Sequence, residues 1–399
     1  MLSVAEALER VLEGVTSLPA EMVALDDAHE RVLAQDIAAK LTQPPFPSSA
    51  MDGYAVRRQD IAALPARLKL IGQSAAGHPF EGALGPGETV RIFTGAALPA
   101  NADYVVIQEN VTPLDGYAEV REAGEGDFIR PIGVDFTAGE RLLRAGRRLT
   151  ARDLLLAAQM NHACLPVRRR PTIAILASGD ELVPPGVSPR AGQIISSIPT
   201  GLAAMLRKAG AEPRALGIAR DTLESLDARI AAAADADILV TIGGASVGDH
   251  DLMRRALETA GYTIEFHKIA IRPGKPLMSG ARGAQRVVGL PGNPVSAMIC
   301  GIIFLLPLVA ALLGEDRPPA AANAMPLAAP LPENGPREHY MRARYVRRDG
   351  REAVEALPSQ DSSLTATLAA ADCLIVRPPH APADDAGAEV QDLALPPGV

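Results

Sequence analysis

With 399 residues, 48% of them apolar, the chain is long enough for roughly two to four domains with proper cores. A net charge of −8 excludes a general nucleic-acid-binding surface, and 3% aromatics without Trp exclude a base-stacking platform. Cys164, Cys300 and Cys373 lie far apart without metal-ligand spacing, which fits a reducing compartment.

The chain opens on an acidic amphipathic pattern with no signal-peptide layout, so a cytoplasmic protein is expected. Ser3 is a candidate N-cap, and Leu8, Val11, Leu12 and Val15 recur at helical spacing. The spacing predicts a second helix over Leu25–Ile37. The prolines in Pro44-Pro-Phe-Pro47 then hold the chain extended, and Asp52-Gly53 supplies a turn with an aimed carboxylate.

Short β-like runs follow at Leu68–Ile71, Thr89–Phe93, Tyr104–Ile107 and Tyr117–Val120, punctuated by Gly and Pro, as in a small β domain. Thr94 sits in a turn that ends a strand, and Asp135 carries an exposed carboxylate. A helical pattern resumes over Thr150–Gln159.

From Pro171 to about Gly314 strands and helices alternate, which predicts a doubly wound parallel sheet. Strands are expected at Thr172–Ala177, Arg214–Ala219, Ile238–Ile242, Tyr262–Ile271 and Val287–Leu290, and helices at Ile198–Gly210, Leu223–Ala234 and Leu252–Ala260. The all-apolar run at Ile238 reads as a strand buried on both faces. It ends at Gly243-Gly244, and Ser246, Gly248, Asp249 and Asp251 follow before the next helix. A strand, a glycine turn and a helix N-terminus make an anion site, because free backbone N–H groups point outward.

Other polar residues gather at predicted strand ends: Asp180, Glu181, Asp221, Arg272, Lys275 and Asn293. Ligands of open α/β sheets bind at that edge, and acids beside a basic loop point to a metal–phosphate site. Neither dinucleotide nor Walker-type phosphate motifs are present. Gly244-Ala-Ser-Val-Gly248 also matches a nucleophile elbow, so a serine hydrolase using Ser246 is a minority reading, with His267, His339 or His380 as base. The uncharged segment Val295–Leu313 is long enough to span a bilayer, but Pro307 interrupts it and a buried core helix is expected. Residues 325–399 show β-like runs at Glu338–Val346, Ala353–Leu357 and Cys373–Arg377, with a Pro/Ala/Asp-rich, mobile tail over Pro378–Gly387.

Six segments, in order, resemble the molybdopterin molybdenumtransferase family, called MoeA in bacteria and represented by the E domain of gephyrin in animals. They are Ser49-Ala-Met-Asp-Gly-Tyr-Ala55, Thr94-Gly95, Ser178-Gly-Asp-Glu-Leu182, Gly243-Gly-Ala-Ser-Val-Gly-Asp-His-Asp251, Arg272-Pro-Gly-Lys-Pro276 and Leu290-Pro-Gly-Asn-Pro-Val-Ser-Ala297. The resemblance implies an α/β multidomain homodimer. Residues 1–42 and 137–168 would form a discontinuous helical scaffold domain, 43–136 a β insert domain, 169–318 the doubly wound parallel-sheet core domain, and 319–399 a C-terminal small β domain.

It also implies a reaction. Adenylylated molybdopterin and molybdate bind, the phosphoanhydride is hydrolysed, and AMP and molybdenum cofactor leave, assisted by a divalent cation, usually Mg2+. Asp221 and Asp251 would hold that metal. Gly243, Gly244, Ser246 and Gly248 would cradle phosphate, with Pro291, Asn293 and Pro294 in the same binding site. Arg272, Lys275, Arg342 and Ser362 would surround molybdate, with Lys268 close by. Asp52, Thr94, Asp135 and Glu181 are carried into the active site, Asp52 from the second subunit. Molybdopterin adenylyltransferase and other cofactor-biosynthesis proteins are the implied partners, with no nucleic acid and no membrane. This chain departs from many members in having Arg272 for Lys, and Asp361-Ser362 for Gly-Ser. A non-catalytic molybdopterin-binding scaffold protein is the alternative within the same resemblance.

Overall fold

The computed structural model describes residues 1–243, 252–316, 323–348 and 350–395. Gly244, Ser246, Gly248, Asp249 and Asp251, and the proline- and alanine-rich residues 317–322, lie outside the described residues.

The core is a six-stranded sheet in the order Glu212–Ala219, Thr172–Ser178, Ile238–Ile242, Gln285–Leu290, Met278–Arg282, Thr263–Phe266. Alternate residues of each strand feed two separate apolar layers. Ile173, Ile175, Val240 and Val288 pack against Ile198–Lys208 and the long apolar helix on one face. Ala174, Leu176, Leu239 and Val287 pack against Leu223–Ala231 and Leu252–Thr259 on the other. That is the doubly wound arrangement, and it explains why Ile238–Ile242 is buried at every position. The alternation predicts a wholly parallel sheet, and here the structure differs. Met278–Arg282 runs against both neighbours, because a hairpin at Gly283 returns the chain directly into Gln285–Leu290.

The predicted strand Tyr262–Ile271 is two elements. Thr263–Phe266 closes the core sheet, whereas Ile271–Arg272 joins a different sheet at the C-terminal end. That second sheet is ordered Ile271–Arg272, Glu338–Arg348, Cys373–Arg377, Glu389–Ala394, Asn323–Pro326, with Arg351–Ala356 paired to Glu338–Arg348. Composition marks Pro378–Gly387 as mobile, yet Asn334 Nδ2 donates to the carbonyls of Arg377 and Pro378, and Leu331 pairs with Asp384. Local polarity misses these ties because their partners lie some forty residues earlier.

Near the N-terminus, Ser3 caps helix Val4–Leu12 through a reciprocal capping box with Glu6. The predicted helix over Leu25–Ile37 is absent. A 3-10 turn at Leu25–Asp27 is followed by a left-handed Glu30 and short pairings of Val32 with Arg148 and Leu33 with Val167. The helical spacing does identify buried positions, since Ala28, Leu33 and Ile37 share one core with Leu149 and Leu165. Long-range pairing overrides the local period. Ala20–Ala24 pairs with Cys164–Arg168, and Ile37–Ala38 with Arg141–Leu143, so both flanks of the β insert fold together. The insert is a six-stranded sheet in which Gly53–Val56 lies between Tyr104–Ile107 and Glu88–Ile92.

The helix Pro294–Leu312 is long and apolar enough to cross a membrane, but 78% of it is buried inside this fold. It contains one π turn at Gly301–Leu305 just before Pro307, whose missing N–H interrupts the ordinary helical bonding.

Arg148 ties the N-terminal scaffold to the core. Its guanidinium donates to the carbonyls of Glu30 and Ala209 and pairs with Glu315 at 2.6 Å. Replacing it leaves a largely buried carboxylate and two carbonyls unpartnered. Arg148→Ala is therefore expected to cost about 2–4 kcal/mol, lowering the unfolding midpoint by several degrees. Calorimetry of wild type and variant checks this, and an unchanged midpoint contradicts the clamp.

Candidate functional site

An open cleft of about 1290 Å³ lies along the carboxyl-terminal edge of the parallel strands. The first strand contributes Ser178, Gly179 and Glu181, the second Asp221, the central one Gly243, and the last Pro291, Gly292, Asn293 and Pro294. Across the cleft stand Arg272, Lys275, Arg337 and the 360–363 turn of the C-terminal sheet domain. Two sheets of one chain thus enclose one cavity.

The basic loop is set by packing. Gly274 has φ +116, and a Cβ there would lie 2.4 Å from the buried Cys300 Sγ. Only Gly allows that approach, and it brings Arg272 and Lys275 to the cavity wall. The Cys300 thiol is itself pushed up to about 12 by burial, so it is a packing group and not a nucleophile. Gly243, with φ +85, approaches the Ser178 carbonyl so closely that a Cβ would lie 2.8 Å from it.

Asn293 donates to Ser362 Oγ at 2.9 Å, and Val295 N donates to the Ser362 carbonyl at 3.1 Å. Ser362 is therefore seated on the N-terminus of the Pro294–Leu312 helix, at the positive end of its dipole. The carboxylates of Glu181 and Asp221 line the same cleft, with Asp180 Oδ1 accepting from Asp221 N at 3.4 Å. Among the described residues no group of three His, Cys, Asp or Glu converges closely enough to ligate a metal alone. Two carboxylates opening on an anion cavity do fit Mg2+, which retains waters and takes one or two carboxylates plus substrate phosphates.

Arg342 differs from its expected place. It is 1% exposed and does not line the cleft. Its donors go to Gln360 Oε1 and to the carbonyls of Ser359 and Asp361. It therefore shapes the turn that presents Ser362. Arg337, which sequence reasoning missed, does reach the cleft, with a 3.4 Å bond to the Ile271 carbonyl. Its signal lies only in the pairing of the strand that follows it with Ile271–Arg272. Gln360, Asp361 and the exposed Ile194 and Ile195 also line the cleft without having been anticipated.

Asp52 and Thr94 come together elsewhere. Asp52 Oδ1 accepts from Thr94 N at 2.7 Å and Thr94 Oγ1 at 2.8 Å, and these bonds hold its pKa below the usual carboxylate value. Neither lines the cleft, and nor do Asp135 and Lys268. Asp135 accepts from Gln159 at 3.2 Å. No histidine lines the cleft among the described residues.

Residues 2–160 match the family described as MoeA N-terminal region (domain I and II), residues 174–311 the probable molybdopterin binding domain, and residues 324–395 the MoeA C-terminal region (domain IV). A molybdopterin molybdenumtransferase of Haemophilus influenzae is 34% identical over 94% of each chain. The corresponding Bacillus subtilis enzyme is 32% identical over 99% of this chain and 94% of its own. The crystal structure of a molybdopterin biosynthesis MoeA protein from Pyrococcus horikoshii superposes with a TM-score of 0.86, at 30% identity and 99% coverage of both chains.

His339 adjoins the cleft wall and is 6% exposed. Burial first, then Arg272, Arg342, Arg337 and Arg377, push its pKa down from 6.5 to about 4. The folded state thus keeps it neutral, while the unfolded chain takes up a proton as pH falls below 6.5. Its contribution to stability is complete above that value and is lost between pH 6.5 and about 4. Unfolding midpoints across this range are expected to fall more steeply for wild type than for His339→Gln. A constant offset between the two contradicts the assignment.

Proposed function

The chain belongs to the molybdopterin molybdenumtransferase family, and on that premise we propose how its cleft performs the reaction. The protein inserts molybdenum from molybdate into adenylylated molybdopterin, with release of AMP, in molybdenum cofactor biosynthesis. The observation that carries the assignment to this cleft is its lining: Arg272, Lys275 and Arg337 share one cavity with the carboxylates of Glu181 and Asp221 and with the start of the apolar helix at Pro294. Phosphoanhydride cleavage needs neutralised charge and a positioned water more than a covalent nucleophile.

In this reading Arg272, Lys275 and Arg337 bind the anionic groups, Asn293 and Ser362 orient them, and Gly243 admits the phosphates closely. Glu181 and Asp221, with Asp251 carried over by resemblance, would hold Mg2+. When bound there, the ion supplies charge neutralisation on the phosphoanhydride. The relatives are molybdopterin molybdenumtransferases, so neither the hydrolase nor the scaffold reading is favoured. Three free cysteines support a reducing, cytoplasmic setting. An adenylyltransferase that makes the substrate is the natural upstream partner.

Incubating the protein with adenylylated molybdopterin and molybdate, then measuring AMP and active cofactor, tests the activity directly. Arg272→Ala and Arg337→Ala should each raise half-saturating molybdate on the order of tenfold with little change in pterin affinity. Arg342→Ala should disturb both, since it acts through the Ser362 turn. Unchanged molybdate dependence in the first two variants removes them from the anion site.

The Asp52–Thr94 pair lies outside its own chain's cleft, which supports a homodimer whose second subunit supplies Asp52. Asp52→Ala and Asp221→Ala homodimers should then each be inactive, while co-expressed heterodimers regain part of the activity through one intact site. Inactive, verified heterodimers would show that Asp52 serves its own chain.

A further inference from the structure

The C-terminal sheet carries a transverse row of basic side chains. Arg272 pairs in register with His339, and His339 with Arg377 on the next strand. Residues directly opposite on neighbouring strands share a sheet face, about 5 Å apart. Arg272 stands at the exposed end, in the cleft. His339 and Arg377 are 6% and 2% exposed.

The row is short of anions. Among the described residues Arg272 forms no ion pair. Arg377 pairs through Nη2 with Asp384 at 3.2 Å and donates to the Pro382 carbonyl. Its Nε and Nη1, and His339 Nε2, have no partner. Unpartnered buried polar atoms oppose stability, so the row is poorly explained as a stabilising device. A carboxylate between the guanidiniums would relieve it by pairing, bidentately with Arg, at one strand spacing. A cation there would add to the repulsion. A neutral imidazole does neither, and burial, reinforced by the four arginines, disfavours its charged form.

We propose that position 339 sets the charge of the oxyanion site without contacting the substrate: no carboxylate stands between Arg272 and Arg377, and this leaves the Arg272 guanidinium unneutralised at the cleft. This rests on the reading that Arg272 contacts the tetrahedral oxyanion. An acid at position 339 would take Arg272 as its own partner and lower the cleft's affinity for a dianion, without touching pterin or adenylate groups.

The test compares His339→Glu, His339→Gln and His339→Leu in the full-length protein. It measures half-saturating molybdate, affinity for adenylylated molybdopterin and the unfolding midpoint. His339→Glu should raise half-saturating molybdate on the order of tenfold while pterin affinity stays within about twofold. The two neutral variants should stay near wild type in both. In an Arg272→Ala background, His339→Glu should add no further effect, a coupling that a general packing defect would not produce. If His339→Glu does not fold, His339→Asp makes the same comparison with less bulk. Wild-type molybdate dependence in the acidic variant overturns the inference. So does an equal rise in His339→Leu, or an undiminished effect of the acid without Arg272. If Arg272→Ala alone leaves molybdate dependence unchanged, the contact of Arg272 with the oxyanion fails first, and the role of His339 falls with it.

Discussion

Two ladder positions hold the cleft together: Ile271 opposite Glu338, and Arg272 opposite His339. Through them the loop that leaves the core sheet is fastened to the C-terminal sheet before it returns as Met278–Arg282. Arg272 is consequently a core-domain residue in sequence and a C-terminal-sheet residue in hydrogen bonding. Arg337 arrives beside it just before the partner strand begins, and its bond to the Ile271 carbonyl closes the junction. The cation wall therefore exists only while both sheets are in place. The carboxylate wall comes from the core alone, where strand ends line up because their strands are parallel.

That division sets the electrostatics of the cleft. Glu181 and Asp221 stay exposed, as carboxylates awaiting a cation and phosphates should. Lys275 and Arg272 are likewise exposed, while Arg342, five residues beyond Arg337 and inside the strand Glu338–Arg348, is fully internal. The segment entering the strand thus brings one arginine to the cleft, and the strand itself brings another to the backbone of the turn that holds Ser362.

Elements whose sidedness is set by near neighbours were legible. The alternating strands and helices of the core announce buried parallel strands, and every predicted helix of that domain is present within a few residues. Thr150 and Asp153 form their capping box where the pattern places a helix start. Leu25–Ile37 was legible only as a set of buried positions, because its conformation is chosen by pairing with residues more than a hundred positions later. The split of Tyr262–Ile271 between two sheets was hidden for the same reason, since a run of strand formers does not name its partner.

By itself, the sequence determined the family, the doubly wound core, and the chemistry of the residues at its strand ends. Those properties follow from local period, from glycines such as Gly243 that only one backbone conformation explains, and from the order of short motifs. Tertiary structure alone decided which charges share a cavity. It drew Arg337 in, turned Arg342 inward, and joined Asp52 to Thr94 away from the cleft. It also set His339 between two guanidiniums. Side-chain direction at those positions depends on sheet register and on the packing of distant segments, and neither is encoded in the spacing of nearby residues.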